Sequence, residues 1–185
     1  MQLIMNSMQI AAAYILFSLG LTLIFGVMRI VNFAHGEFFT LPLLVMGVTV
    51  PFLISEQLPL FASYALGGVF GIALTLLLGS VIYKFALQRF QRDMTGSFVV
   101  SVGLSLLLQG IFLETFGGVP NKLPALVEGT VNIMGAYITI QRLIITCCAL
   151  LVAALMCWTI ASSRLGKALR AASEDHEAAM LQGIP

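Results

Sequence analysis

Five stretches of this sequence run for about twenty residues with almost no charge inside them, and this limits the fold more than any other feature. A helix needs roughly 20 residues to cross the hydrocarbon core of a bilayer. The stretches are about Met8–Met28, Phe38–Ile54, Phe61–Tyr83, Gly96–Leu113 and Gln141–Ala161. The second is short and carries Pro42 and Pro51. Glu56-Gln57-Leu58-Pro59, the charged run from Lys84 to Asp93, and Gly117-Gly118-Val119-Pro120 punctuate them. Charged residues make up 9% of the chain. Soluble domains carry about 25%, so a water-facing exterior could not be covered. The fold class expected is an all-α membrane protein: a polytopic transmembrane helix bundle of about five spans plus a broken or re-entrant element. Met8–Met28 lacks the basic flank and small-residue cleavage site of a signal peptide, so it reads as a retained span.

Little in the chain suggests catalysis. Cys147, Cys148 and Cys157 share one apolar run without CxxC or Cys/His spacing, and read as small apolar fillers. There is no Gly-x-Ser-x-Gly elbow and no Gly-x-x-x-x-Gly-Lys-Ser/Thr phosphate loop. No catalytic residue, cofactor or metal site is expected. A net charge of +1 gives no reason to expect a nucleic-acid partner.

The few bases set an orientation. Lys84, Arg89 and Arg92 precede the fourth span, and Arg164, Lys167 and Arg170 follow the fifth. One out-and-back excursion separates the two groups, so both fall on one side, the cytoplasmic one. Residues Gln57–Leu60 and Glu114–Ile140 are then outside. Arg29 falls inside, which puts the N-terminus outside.

Small and polar residues recur every four positions on three spans. Ser63, Gly67, Gly71, Thr75 and Gly79 form one stripe, Ser18, Thr22 and Gly26 a second, and Ser97, Ser101, Ser105 and Gln109 a third. Such stripes let helix backbones approach closely. The third has a second reading, as the lining of a wet path, because a primary amide in lipid needs several partners.

The segment Gly26-Val27-Met28-Arg29-Ile30-Val31-Asn32-Phe33-Ala34-His35-Gly36-Glu37-Phe38 joins two spans without a proper polar loop. It reads either as a tight cytoplasmic turn, with Glu37 paired to Arg29, or as a broken element beside a translocation path. Asn32, His35, Gly36 and Glu37 are its candidate functional residues, taken together with Ser101, Ser105 and Gln109.

After the fifth span the chain becomes polar. Arg164–Ala172 reads as a basic helix, with Ser173 capping a second, acid-fronted helix that begins Glu174-Asp175-His176-Glu177 and closes near Gly183. A short helix with a shallow apolar face suits docking in a partner's groove; the other reading is a juxtamembrane helix lying on lipid, against which its acidic residues argue because the cytoplasmic leaflet is itself negative.

Here the sequence resembles a known family. Glu177-Ala178-Ala179 with Gly183 is similar to the EAA loop of ABC importer permeases. The longer run Arg164-Leu165-Gly166-Lys167-Ala168-Leu169-Arg170-Ala171 leading into it resembles branched-chain amino acid permeases. The 26–38 motif, Gly103-Leu104-Ser105 with Gln109, and Ile138-Thr139-Ile140-Gln141-Arg142 add to the likeness, which covers essentially the whole chain. The resemblance implies a transport subunit, not an enzyme, for leucine, isoleucine and valine or a related amide or urea. It implies a bacterial inner-membrane location, a second permease subunit, two cytoplasmic ATPases and a periplasmic binding protein as partners. It assigns Glu177, Ala178, Ala179 and Gly183 to ATPase coupling. Residues 1–163 would form the membrane domain and 164–185 an incomplete coupling segment. Two departures stand out. Thr40-Leu41-Pro42-Leu43 replaces the family's usual Gly-Ala-Tyr, and Pro42 would kink that helix. Family members also continue into further spans, so the chain reads as the N-terminal portion of a permease, with a non-functional or split fragment as the alternative.

Overall fold

The computed structural model describes residues 1–28, 32–90, 93–118, 122–133, 135–174, 179 and 181–182. Its helices are α1 (Gln2–Met28), α2 (His35–Ser55), α3 (Leu60–Ile82), α4 (Met94–Phe116), α5 (Ile140–Ser162) and α6 (Arg164–Glu174). The first five are long and apolar enough to cross a membrane, as expected, and the chain is a multi-pass membrane protein. Most of these helices outrun their apolar stretches. α1 starts at Gln2 and α2 at His35, so His35, Gly36 and Glu37 form a helical first turn. Residues 29–31, between α1 and α2, lie outside the described residues.

The chain packs as two compact units, Ile30–Leu126 and Met1–Arg29 with Val127–Pro185. In the first, α2 and α3 lie together along the expected stripe. Ser63, Gly67 and Gly71 are buried. A Cβ on Gly67 would stand 2.9 Å from Thr49 and Val50 side chains, and one on Gly71 would stand 3.1 Å from the Cα and carbonyl oxygen of Pro42. The missing side chains are therefore what lets the two backbones meet. α2 is helical through Pro42 and Pro51, although Pro42 has no N–H to offer the turn before it. Ala34, Leu41, Val45, Ile82, Leu87, Leu108 and Phe112 make the buried apolar cluster. Ile82 joins it from the last turn of α3 and Leu87 from the π-helical turn that continues it, Tyr83–Leu87; a 3-10 turn, Gln88–Phe90, follows.

Asp93 starts α4. Its carboxylate accepts from Gly96 N at 3.0 Å, satisfying a helix-end donor. A Cβ on Gly96 would overlap the Asp93 carboxylate and the Phe90 ring, so a larger residue there would displace the cap. Gly117, at φ +80°, closes the helix.

The second unit contains an element the sequence reading missed. Within the expected outer loop, β1 (Thr130–Ile133) and β2 (Ala136–Thr139) pair antiparallel, Thr130 with Thr139 and Ile133 with Ala136. The β-branched run on either side of a two-residue connection was the available signal. Gly135, at φ +84°, donates its N–H to Asn132 Oδ1 at 2.9 Å. Gln2 fastens this hairpin to α1: Gln2 Nε2 donates to Tyr137 O at 3.0 Å, and Tyr137 N donates to Gln2 Oε1 at 2.9 Å. One side-chain amide thus supplies the paired bonds that a neighbouring strand would make.

The stripe Ser18, Thr22, Gly26 is not a packed face among the described residues. Ser18 and Thr22 are exposed, and a Cβ on Gly26 would meet nothing within 4 Å.

Candidate functional site

Two places hold the residues singled out above, one in each unit. In the first unit, Asn32 organises the entry to α2. Its Oδ1 accepts from Ala34 N at 3.1 Å, its carbonyl accepts from His35 N at 3.2 Å, and Ala34 O accepts from Glu37 N at 3.0 Å. This side-chain turn closes on the backbone and sets where the helix begins. His35 turns its ring edge-on toward Phe39, with centroids 6.2 Å apart. Gly36 has open space where a Cβ would stand.

Glu37 is the centre of the site. It sits in the first turn of α2, where a carboxylate complements the positive end of the helix, and only 8% of it is exposed. Ser105 Oγ donates to Glu37 Oε1 at 3.1 Å and Gln109 Nε2 donates to the same oxygen at 2.8 Å. Gln109 Nε2 also donates to Ser105 Oγ at 3.1 Å, which closes a triangle of three polar side chains. Ser105 is the middle residue of α4, with eleven residues on either side (105 − 94 and 116 − 105). The carboxylate therefore lies at mid-length of a helix long enough to span a membrane, where ionisable groups are rare and mark pathways or ligand sites.

The structure divides the Ser/Gln stripe. Ser97 and Ser101 are fully buried, and their hydroxyls donate back to Met94 O at 2.9 Å and Phe98 O at 3.0 Å. They pack. Ser105 and Gln109 reach across to α2 instead. Glu37 is brought together with two of the three stripe residues proposed for the path, Ser105 and Gln109. Their separations of 68 and 72 positions left that pairing invisible in the sequence.

In the second unit, Glu177, Ala178 and Gly183 of the expected coupling segment lie outside the described residues. Ala179 is described and is buried, and its carbonyl accepts from Gln182 N at 3.1 Å. Ser173 corrects the expectation of a helix start. It lies inside α6, and its Oγ donates to Arg170 O at 2.8 Å. The Ala168–Ala172 run, a good helix former, carries α6 through it.

The joint between α5 and α6 is tight. Ser163 ends α5, then starts α6 by accepting Gly166 N on its Oγ at 3.0 Å. Arg170 turns back and donates to the carbonyls of Ile160 and Ala161, at the C-terminal end of α5. A cation there complements the negative end of the helix. A Cβ on Gly166 would overlap the Ile160 carbonyl, so this crossing admits glycine alone without a backbone shift. The sequence showed the bases of α6 but not this use of Arg170.

The family described as branched-chain amino acid transport system / permease component matches residues 3–185. Among curated relatives, the chain is 25% identical over 199 residues to the high-affinity branched-chain amino acid transport system permease protein BraD of Pseudomonas aeruginosa. It is 28% identical over 197 residues to the corresponding protein LivH of Escherichia coli K12, and 27% over 196 residues to that of Salmonella typhimurium. All of this chain is covered in each case, and it spans 62% of each relative's length. No solved structure gives a significant match.

Proposed function

We propose that this chain, which belongs to the branched-chain amino acid transport system / permease component family, serves as a membrane-spanning part of an ABC importer for branched-chain amino acids. It is a transport subunit. ATP is hydrolysed by separate cytoplasmic ATPases, and a second permease subunit and an external binding protein complete the assembly in the bacterial inner membrane. The observation that carries this reading is Glu37, held at mid-length of α4 by Ser105 and Gln109. Elsewhere the spans are almost wholly apolar, and a carboxylate placed there is costly unless it serves a path. Asn32, His35 and Gly36 shape the same end of α2, with Ser101 packed below the Ser105 level. In the tail, Glu177, Ala178, Ala179 and Gly183 take the coupling role, carried by α6 on its tight joint to α5.

Uptake of labelled leucine and urea by cells expressing the full-length permease with its partners tests the reading. Leucine should accumulate and urea should not. Glu177→Lys in that protein should abolish leucine uptake while membrane insertion stays intact. Normal uptake by the variant would remove the coupling role from this segment.

A further inference from the structure

The Glu37 carboxylate is held by two neutral donors. The Ser105 hydroxyl and the Gln109 amide orient it and stabilise it, but neither cancels its charge. Both also act on Oε1, so neither engages Oε2. A carboxylate fixed by neutral groups in a low-dielectric setting attracts a cation strongly. The surroundings say which kind. A hard metal ion wants several oxygen ligands converging on it. Here the hydroxyl and the amide both aim hydrogens at the carboxylate, and among the described residues no three His, Cys, Asp or Glu side chains are grouped to hold a metal. An alkylammonium needs less: one or two acceptors and an apolar wall for its carbon chain. Leu106 and Leu113 lie one turn before and one turn after Gln109 on α4, and both are exposed. Gln109 is exposed and Ser105 half-buried, so the triangle reaches the unit's surface on the α4 side.

Resting on the transport reading above, we propose that Glu37, oriented by Ser105 and Gln109, binds the ammonium group of the solute within the membrane. This makes the permease selective for solutes bearing a primary ammonium over neutral amides and urea. The charge-assisted bond to an ammonium is roughly twice as strong as the neutral bond an amide could make.

The test uses the purified full-length permease and four probes: leucine, 3-methylbutylamine, 4-methylpentanoate and urea. Thermal stabilisation is measured as each is titrated. Leucine and 3-methylbutylamine should raise Tm, while 4-methylpentanoate and urea should not. Glu37→Gln keeps an acceptor for Ser105 and Gln109, and should weaken binding of both ammonium probes at least about tenfold. Equal binding of 3-methylbutylamine by Glu37→Gln would overturn the proposal. So would equal binding of 4-methylpentanoate by the unaltered protein, a comparison that needs no variant. Uptake in the complete assembly separates the two readings. If the unaltered transporter moves no leucine, the transport reading fails whatever the probes show. If it moves leucine and Glu37→Gln does so with unchanged KM, the ammonium site fails and transport stands.

Discussion

The two units solve the same problem by different means. In α2, α3 and α4, 22%, 17% and 22% of the most apolar stretch is buried within the chain, whereas in α1 and α5 only 6% is. The first unit is joined along its length. Residues without side chains, Gly67 and Gly71, let α3 lie on α2, and a polar triangle ties α2 to α4. In the second, α1 and α5 lie together, and the polar bonds stand at the helix ends. Gln2 binds the hairpin at the start of α1, and Arg170 and Gly166 bind α6 to the end of α5. Lipid tails are as apolar as leucine, so burial of leucine gives helices little reason to associate in a membrane. Close backbone approach and polar bonds must do that instead, and each unit relies on one more than the other.

The sharpest way to break the second unit is at its pin. Gly166→Ala places a methyl group on the Ile160 carbonyl oxygen. The obstacle is backbone, which cannot rotate away as a side chain would, so the loss should sit at the upper end of overpacking effects, about 3 kcal/mol. Limited proteolysis should show new cleavage at Arg164 and Lys167, with α1 and α5 still inserted. Unchanged protection would mean that α6 is not held where Gly166 places it.

The corresponding change in the first unit is milder and has an internal control. Gly71→Ala sets its methyl 3.1 Å from the Pro42 backbone, while Gly68→Ala meets nothing within 4 Å. Alanine in a helix gains about 1 kcal/mol over glycine, and overpacking loses about 1–3 kcal/mol. In detergent unfolding, Gly68→Ala should be stabilising by up to about 1 kcal/mol and Gly71→Ala destabilising by roughly 1 kcal/mol. Two variants of equal stability would show that the α2–α3 seam does not run through Gly71.

Legibility followed the range of the interactions. The five spans were plain because each is a local property of about twenty residues. The stripe on α3 was also plain, since its four-residue period lies in one helix. Ser18, Thr22 and Gly26 carried the same period without being packed among the described residues, because a stripe permits an approach and does not supply a partner. Glu37 and Gln109 were each singled out as polar residues in apolar surroundings. Their bond was not legible, since nothing in either segment marks a contact 72 positions away. Arg170 reads as an orientation signal because its charge is local information. Its role as a cap depends on the turn at Ser163 folding α6 back onto α5. The hairpin differs again: its β-branched runs are local, but they stand inside a long segment between spans that reads as a loop.

The smallest expected effect lies at the other pin of the second unit, and it decides whether the hairpin belongs to that unit's joint or merely rests on it. Gln2 is exposed, so its two bonds to Tyr137 compete with water, and each contributes no more than about 1 kcal/mol. Gln2→Ala should leave global stability nearly unchanged, because the Thr130–Thr139 pairing is internal to the hairpin. Its effect should be local. The Tyr137 amide loses its acceptor, and its hydrogen exchange should quicken about fivefold for a loss near 1 kcal/mol. Gln2→Glu separates the two bonds, since a carboxylate still accepts from Tyr137 N but cannot donate to Tyr137 O. Exchange at Tyr137 should then stay slow while the hairpin loosens from α1. Identical exchange in all three proteins would show that the hairpin stands without Gln2, leaving the α5–α6 joint as the main pin of the second unit.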